Sequence, residues 1–119
     1  MAFKFEQLRV WQTALDISCA VHNMTILFPK EELYILTPQI KRAADSICLN
    51  IAEGSTGQSN PEQIKFLGYA IRSAIEVVTC LHIGRKRGII NDEKFNEIYP
   101  QIENLIISIQ SMRKSLNNK

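Results

Sequence analysis

Two cysteine–histidine pairs are the first candidates for chemistry. Cys19 and His22 stand three residues apart, while Cys80 and His82 fall at a similar height on a later helical segment. Zinc needs several nitrogen or sulfur ligands converging on one point. On a helix, Cys80 and His82 diverge by about 200° and cannot both face one ion. The three cysteines, Cys19, Cys48 and Cys80, are odd in number and each lies among apolar residues. That pattern suits free buried thiols in a reducing compartment better than a disulfide framework. A di-iron bundle needs Glu-x-x-His on two helices, and the motif does not occur. No serine or cysteine sits in a nucleophile elbow with a designated base. The sequence therefore assigns no catalytic residue, no metal ligand and no cofactor, and the expected class is not an enzyme.

The glycines of Gly54-Ser-Thr-Gly-Gln-Ser59 raise a phosphate cradle, since backbone N–H groups near a helix end attract anions. No strand precedes the loop and no Gly-Lys-Ser/Thr follows, so the P-loop reading fails on context. Charge remains. Arg85-Lys86-Arg87 closes one helical segment. In an up-down bundle that end is shared with the starts of the second and fourth helices. Lys30, Lys41 and Lys94 then join the three as a candidate surface for phosphate contact. Asp92, Glu93, Glu31 and Glu32 dilute it. The opposite end would hold Lys4, Arg9, Lys65, Arg113, Lys114 and Lys119. The plain alternative for both ends is a solubilising role.

A third candidate lies on the segment Thr37–Gly54. At about 100° per residue, Leu36, Ile40, Ala44, Ile47 and Ile51 gather on one side as a core face. Gln39, Arg42, Ser46, Asn50 and Glu53 gather on another. These polar groups can donate and accept among themselves. The stripe is either a solvated face or a register-fixing contact between helices or subunits. Lys41 and Asp45, four apart, have the spacing of a solvated ion pair.

The elements that carry these residues are all helical. A first helix is predicted over about Gln7 to Leu27, with Val10, Ala14, Ile17, Val21 and Met24 in line and Leu8, Trp11, Leu15 and Ile26 widening the stripe. Trp11 is a packing anchor, and Phe3 and Phe5 of the leading arm can tuck against the bundle end. Phe28-Pro29 breaks the period. Thr37 and Pro38 can open the second helix as cap and first residue, and Gly54 can end it in a left-handed conformation. The third helix opens at Asn60-Pro61-Glu62 by the same logic. It carries Ile64, Leu67, Ile71, Ala74, Val78 and Leu81, with Phe66, Ala70 and Val77 as a second line, and stops at Gly88. Asn91 caps the fourth. Phe95, Ile98, Ile102, Leu105, Ile109, Met112 and Leu116 keep a heptad-like seam through it, so Pro100 predicts a kink or restart there. Four amphipathic helices with short connections predict an all-α, up-down-up-down antiparallel four-helix bundle, residues 1–119 forming one domain.

The run from Gln39-Ile-Lys-Arg-Ala-Ala-Asp-Ser-Ile to Asn50-Ile-Ala-Glu-Gly54 resembles the signature of four-helix bundle proteins encoded by intervening sequences in bacterial large-subunit ribosomal RNA genes, the S23-type family. Further similarity lies at Phe5 to Trp11 with Gln12, at Phe66-Leu67 with Ala70, and at Ser73 with Glu76. It covers nearly the whole chain. The chain departs at Arg72, where such proteins often carry a small residue, and at Pro100. The resemblance implies a homopentamer. Related bundle proteins act as accessory factors of retroelement reverse transcriptases through basic surfaces, which implies RNA or a ribonucleoprotein as partner.

Composition agrees with a globular chain. Of 119 residues, 45% are hydrophobic and 22% charged, enough for one core. No apolar run approaches the ~20 residues that span a bilayer, and the N-terminus does not read as a secretory signal, so a cytoplasmic location is expected. A formal charge of +2 does not by itself announce nucleic-acid binding. The wide apolar faces of the first and third helices exceed one core's needs and predict self-association. Three readings stay open: an oligomer that binds RNA or a ribonucleoprotein, a protein–protein adaptor without nucleic-acid affinity, and a small-ligand site lined by Gln39, Arg42, Asn50 and Glu53.

Overall fold

The computed structural model describes residues 3–57 and 59–119. Four helices account for most of them: α1 (Arg9–Thr25), α2 (Leu36–Gly54), α3 (Asn60–Lys86) and α4 (Asp92–Asn117). Short 3-10 turns precede α1 and α2, at Lys4–Gln7 and Lys30–Glu32. Each helix packs on its sequence neighbour, and α1 closes the bundle against α4. The long axis of 46 Å fits the span of the two longest helices at about 1.5 Å per residue.

The expected core stripes face inward. Ile40, Ala44, Ile47 and Ile51 of α2 are fully buried, as are Ala14, Ile17 and Val21 of α1. They meet Leu67, Ala74, Val77 and Leu81 of α3 and Ile98, Ile102, Leu105 and Ile109 of α4. Phe5 of the arm docks as expected, its ring edge-on to Trp11 at 4.9 Å, whereas Phe3 stacks on Phe5 and stays 65% exposed. The arm's first two residues, Met1 and Ala2, lie outside the described residues, as does Gln58 of the glycine loop. α4 runs through Pro100 without a restart. The carbonyl of Asn96, which Pro100 cannot bond, belongs to an exposed stretch where water can satisfy it.

Helix ends differ from the reading in instructive ways. α2 starts two residues earlier than expected, with Ile35 at the cap position. Glu32 Oε1 accepts from the Leu36 N–H at 3.3 Å, so Thr37 is not the cap. Pro38 still lies in the first turn, where a missing N–H leaves no helical bond unmade. Ser59, not Asn60, caps α3: its Oγ accepts from the Glu62 N–H at 3.2 Å. Asn91 caps α4 as expected, accepting from Lys94 N–H at 2.8 Å. Gly88 stops α3 with φ +74°. The Ile89 N–H reaches Gly84 O at 2.8 Å and the Gly88 N–H reaches Arg85 O at 3.1 Å, the paired bonds of a Schellman stop.

Gly54 does something other than end its helix in a left-handed turn, since its φ is not positive. A Cβ built there would stand 2.7 Å from Phe66 Cβ and 3.4 Å from Gln63 O. The missing side chain lets α2 and α3 touch backbone to backbone. Beside that contact, buried Gln63 donates from Nε2 to Ser55 Oγ at 3.1 Å. Ser55 in turn donates to Ile51 O at 3.1 Å, which closes the end of α2 with no buried polar atom left over.

By length and composition alone, α3 is apolar enough to cross a membrane. This departs from the sequence expectation. Its apolar residues lie on two faces, one turned to α2 and one to α4, as a central bundle helix requires.

Candidate nucleic-acid interface

The six predicted cations sit on elements that share one end of the bundle. Arg85 and Lys86 form the last turn of α3, and Arg87 follows as its cap. Lys30 opens the 3-10 turn before α2, Lys41 lies in the second turn of α2, and Lys94 in the first turn of α4. Gly84 shows how close these elements come. A Cβ there would meet Ile90 Cδ1 at 2.4 Å and Leu36 Cδ2 at 3.4 Å. Among the described residues, only Lys94 of the six is in an ion pair, with Glu97 at 3.1 Å.

Arg85 is the most organised of them. Its guanidinium lies 3.7 Å from the centre of the Phe95 ring. Phe95 stacks on Tyr99 at 5.2 Å, and His82 packs edge-on to Phe95 at 5.0 Å. By its spacing Phe95 is a seam residue, and His82 cannot share an ion with Cys80. Their common role is an aromatic base under a cation, produced by the register of α3 on α4. A guanidinium stacked on a ring gains roughly 0.5–1 kcal/mol at an exposed site and keeps its edge N–H groups free.

The polar stripe of α2 is divided. Ser46 and Asn50 are half-buried: Asn50 Nδ2 donates to Ser46 O at 2.9 Å and to Ser46 Oγ at 3.0 Å. Ser73 of α3 donates to Ser46 Oγ at 2.9 Å, which makes the middle of the stripe a helix–helix contact within the chain. Gln39, Arg42 and Glu53 are exposed, with Leu49, 66% exposed, on their flank.

Asp45 is not partnered by Lys41. Its Oδ1 accepts from Ser18 Oγ at 2.6 Å and lies 2.9 Å from His22 Nε2, both on α1. A carboxylate can only accept, so the imidazole carries a proton on Nε2. Cys19 is exposed, not buried as expected, and His22 three residues on reaches across to α2 instead.

The same neighbourhood holds the Cys48 thiol, which burial first, and then the negative charges of Asp45 and Cys19, push up from 9.0 to about 11. Burial and Glu76 push Cys80 up as well. A raised folded-state pKa means the protonated thiol favours folding below pH 9, and that preference fades as pH climbs to about 11. Urea midpoints of the wild type are therefore expected to fall between those pH values by more than those of Cys48→Ala. Parallel decline of the two proteins would show that Cys48 does not contribute.

A family model of 23S rRNA-intervening sequence proteins matches residues 6–111. The chain belongs to this family. Among curated proteins, none matches this intervening-sequence protein. Of solved structures, it is similar to a crystal structure from Bacteroides thetaiotaomicron VPI-5482, described as a protein of unknown function from the S23 ribosomal protein family. The two are 21% identical, with a TM-score of 0.79, over 88% of this chain and 98% of that one. At that identity the likeness speaks for the four-helix fold alone. Arg72 lies exposed on α3, where its length displaces no core residue.

Proposed function

We propose that this intervening-sequence protein is a non-enzymatic, self-associating RNA-binding protein that contacts phosphates through Arg85, Lys86, Arg87, Lys30, Lys41 and Lys94. The observation that carries the reading is the exposed Arg85 guanidinium seated on Phe95 instead of on a carboxylate. Basic side chains interleaved with aromatic ones suit a phosphate backbone with unstacked bases nearby. Exposed apolar groups support self-association. Ile26 and Leu27 are each 77% exposed and Tyr34 88%, with Leu33 and Ile35 beside them on the α1–α2 connection. For the number we adopt a ring of five, which the family resemblance implies. Repetition around a ring would multiply weak phosphate contacts. A cytoplasmic location goes with this reading.

The test is fluorescence anisotropy of a single-stranded RNA titrated across salt, for the wild type and for Arg85, Lys86 and Arg87 together changed to Ala. Each phosphate contact on a single strand contributes about 0.7 to the slope of log affinity against log salt. Loss of three is expected to flatten the slope by about 2 per protomer engaged. Sedimentation of the same samples reports assembly. The apolar α1–α2 connection favours one rival, an adaptor that joins proteins. An oligomer with no RNA affinity at low salt would leave that rival standing and remove the RNA reading.

A further inference from the structure

A second basic feature lies away from the α3 end, in the groove between α3 and α4. Lys65, Gly68, Tyr69, Arg72 and Arg113 line a shallow cleft of about 370 Å³. Arg113, from the far end of α4, is fixed in it. Its Nε donates to the backbone carbonyl of Ile64 at 3.2 Å and its Nη1 to Gln110 Oε1 at 3.1 Å. The remaining nitrogen, Nη2, lies over Gly68, 3.3 Å from where a Cβ would stand.

Glycine inside a long helix weakens it relative to alanine. Here its absent side chain makes room for the guanidinium, whose Nη2, Cζ and Nε all lie within 3.9 Å of where a Cβ would stand. The cation so positioned has no carboxylate partner among the described residues. Arg72 approaches from the next turn of α3, its guanidinium carbon 6.0 Å from the centre of the Tyr69 ring. Lys65 completes the set. Its contact to Glu62 at 3.3 Å joins two partly exposed side chains on one helix, a pairing that water and salt screen. Beyond Arg113, the groove continues past Gln110, Lys114 and Asn117.

We propose that this cleft is a phosphate-binding site, occupied by the backbone of an RNA strand, with Arg113 and Arg72 as its principal contacts and Tyr69 as a platform for the adjoining base. The chemistry follows from the parts. A guanidinium with anchored Nε and Nη1 presents Nη2 at fixed direction, so little rotamer freedom is lost when a phosphate arrives. Three cations and one exposed aromatic ring around an open cleft suit a flexible, singly charged phosphodiester chain better than an apolar ligand. The site rests on the RNA reading only for the source of the phosphate. It shares no residue with the helix-end surface.

The experiment uses the full chain and three probes: inorganic phosphate, uridine monophosphate and decauridylate. Nitrogen-detected shifts of Arg113 Nε and the Gly68 amide report the cleft, and anisotropy reports decauridylate affinity. Decauridylate is expected to move both signals and to bind about tenfold more weakly to Arg72→Gln/Arg113→Gln, with a salt slope lower by about 1.4 for two lost phosphate contacts. Gly68→Ala provides an independent variant. It removes no charge and favours the helix, so its melting temperature is expected to equal or exceed that of the wild type while its affinity falls. Monophosphate binding as tight as decauridylate, read at Arg113, would keep the site and make its occupant a free nucleotide. Phosphate shifts at Arg113 without RNA binding would keep the site and sink the RNA reading. No probe shifting Arg113, or RNA affinity unchanged in the double variant while the Arg85, Lys86 and Arg87 variant loses it, overturns the cleft.

Discussion

Gly54→Ala is expected to destabilise the bundle by about 1–3 kcal/mol, although alanine is the better helix former. The new methyl would stand 2.7 Å from Phe66 Cβ, an atom fixed to the α3 backbone that no rotamer change can move. Relief requires α2 and α3 to part. Parting them strains the buried Gln63–Ser55 bond on the same contact. Urea unfolding followed by circular dichroism measures the effect: the midpoint should drop with the slope unchanged. A midpoint equal to the wild type's would show that the helices separate there without loss. Gly68→Ala on α3, by contrast, meets no backbone atom, only the guanidinium of Arg113 at 3.3 Å, so it should lack the loss expected of Gly54→Ala on α2.

Ile47→Ala should cost more, about 2–5 kcal/mol, against a total stability of about 5–15 kcal/mol for a domain of this kind. Ile47 is fully buried at the middle of α2, surrounded by the side chains of the other helices. Truncation leaves a cavity that four tightly packed helices cannot close. Ile47→Val, which removes one methylene, should lose only about 0.5–1.5 kcal/mol. Thermal melts of the two variants check the pair. Similar losses for both would mean the site collapses around the smaller side chain.

The period of the α2 core face made Ile40, Ala44, Ile47 and Ile51 legible, because burial on one helix face is a property of that helix alone. Gly88 and Asn91 were legible for a related reason: a stop and a cap are local chemistry. Asp45 was not. Lys41 four residues away satisfies the same spacing rule as a true partner, and only the rotation of α1 brings Ser18 and His22 instead. Gly54 was misread because glycine at a helix end serves either a left-handed turn or a close approach. The sequence around it fits both, and the position of Phe66 decides. The Arg72–Arg113 cleft was legible only in part: topology put Lys65 and Arg113 at one bundle end, but it did not join Gly68, Tyr69 and Arg72 to them. The cleft's residues lie on two helices, and their meeting depends on the stagger of α4 along α3. The cations of the α3 end could be anticipated because up-down topology alone assigns helix ends to one side. The aromatic seat beneath Arg85 could not.

The connections between α2 and α3 and between α3 and α4 span only residues 55–59 and 87–91. Most of the native contacts therefore join segments that are close along the chain, the arrangement that lets small helical proteins fold within microseconds to milliseconds. The pairing of α1 with α4 is the exception, since it must close a loop that contains the other two helices. A chain emerging from the ribosome can form the α2–α3 hairpin, with its Gly54 contact, well before α4 exists. Arg113 reaches its seat over Gly68 only when the last helix docks, so the cleft is completed at the end of folding.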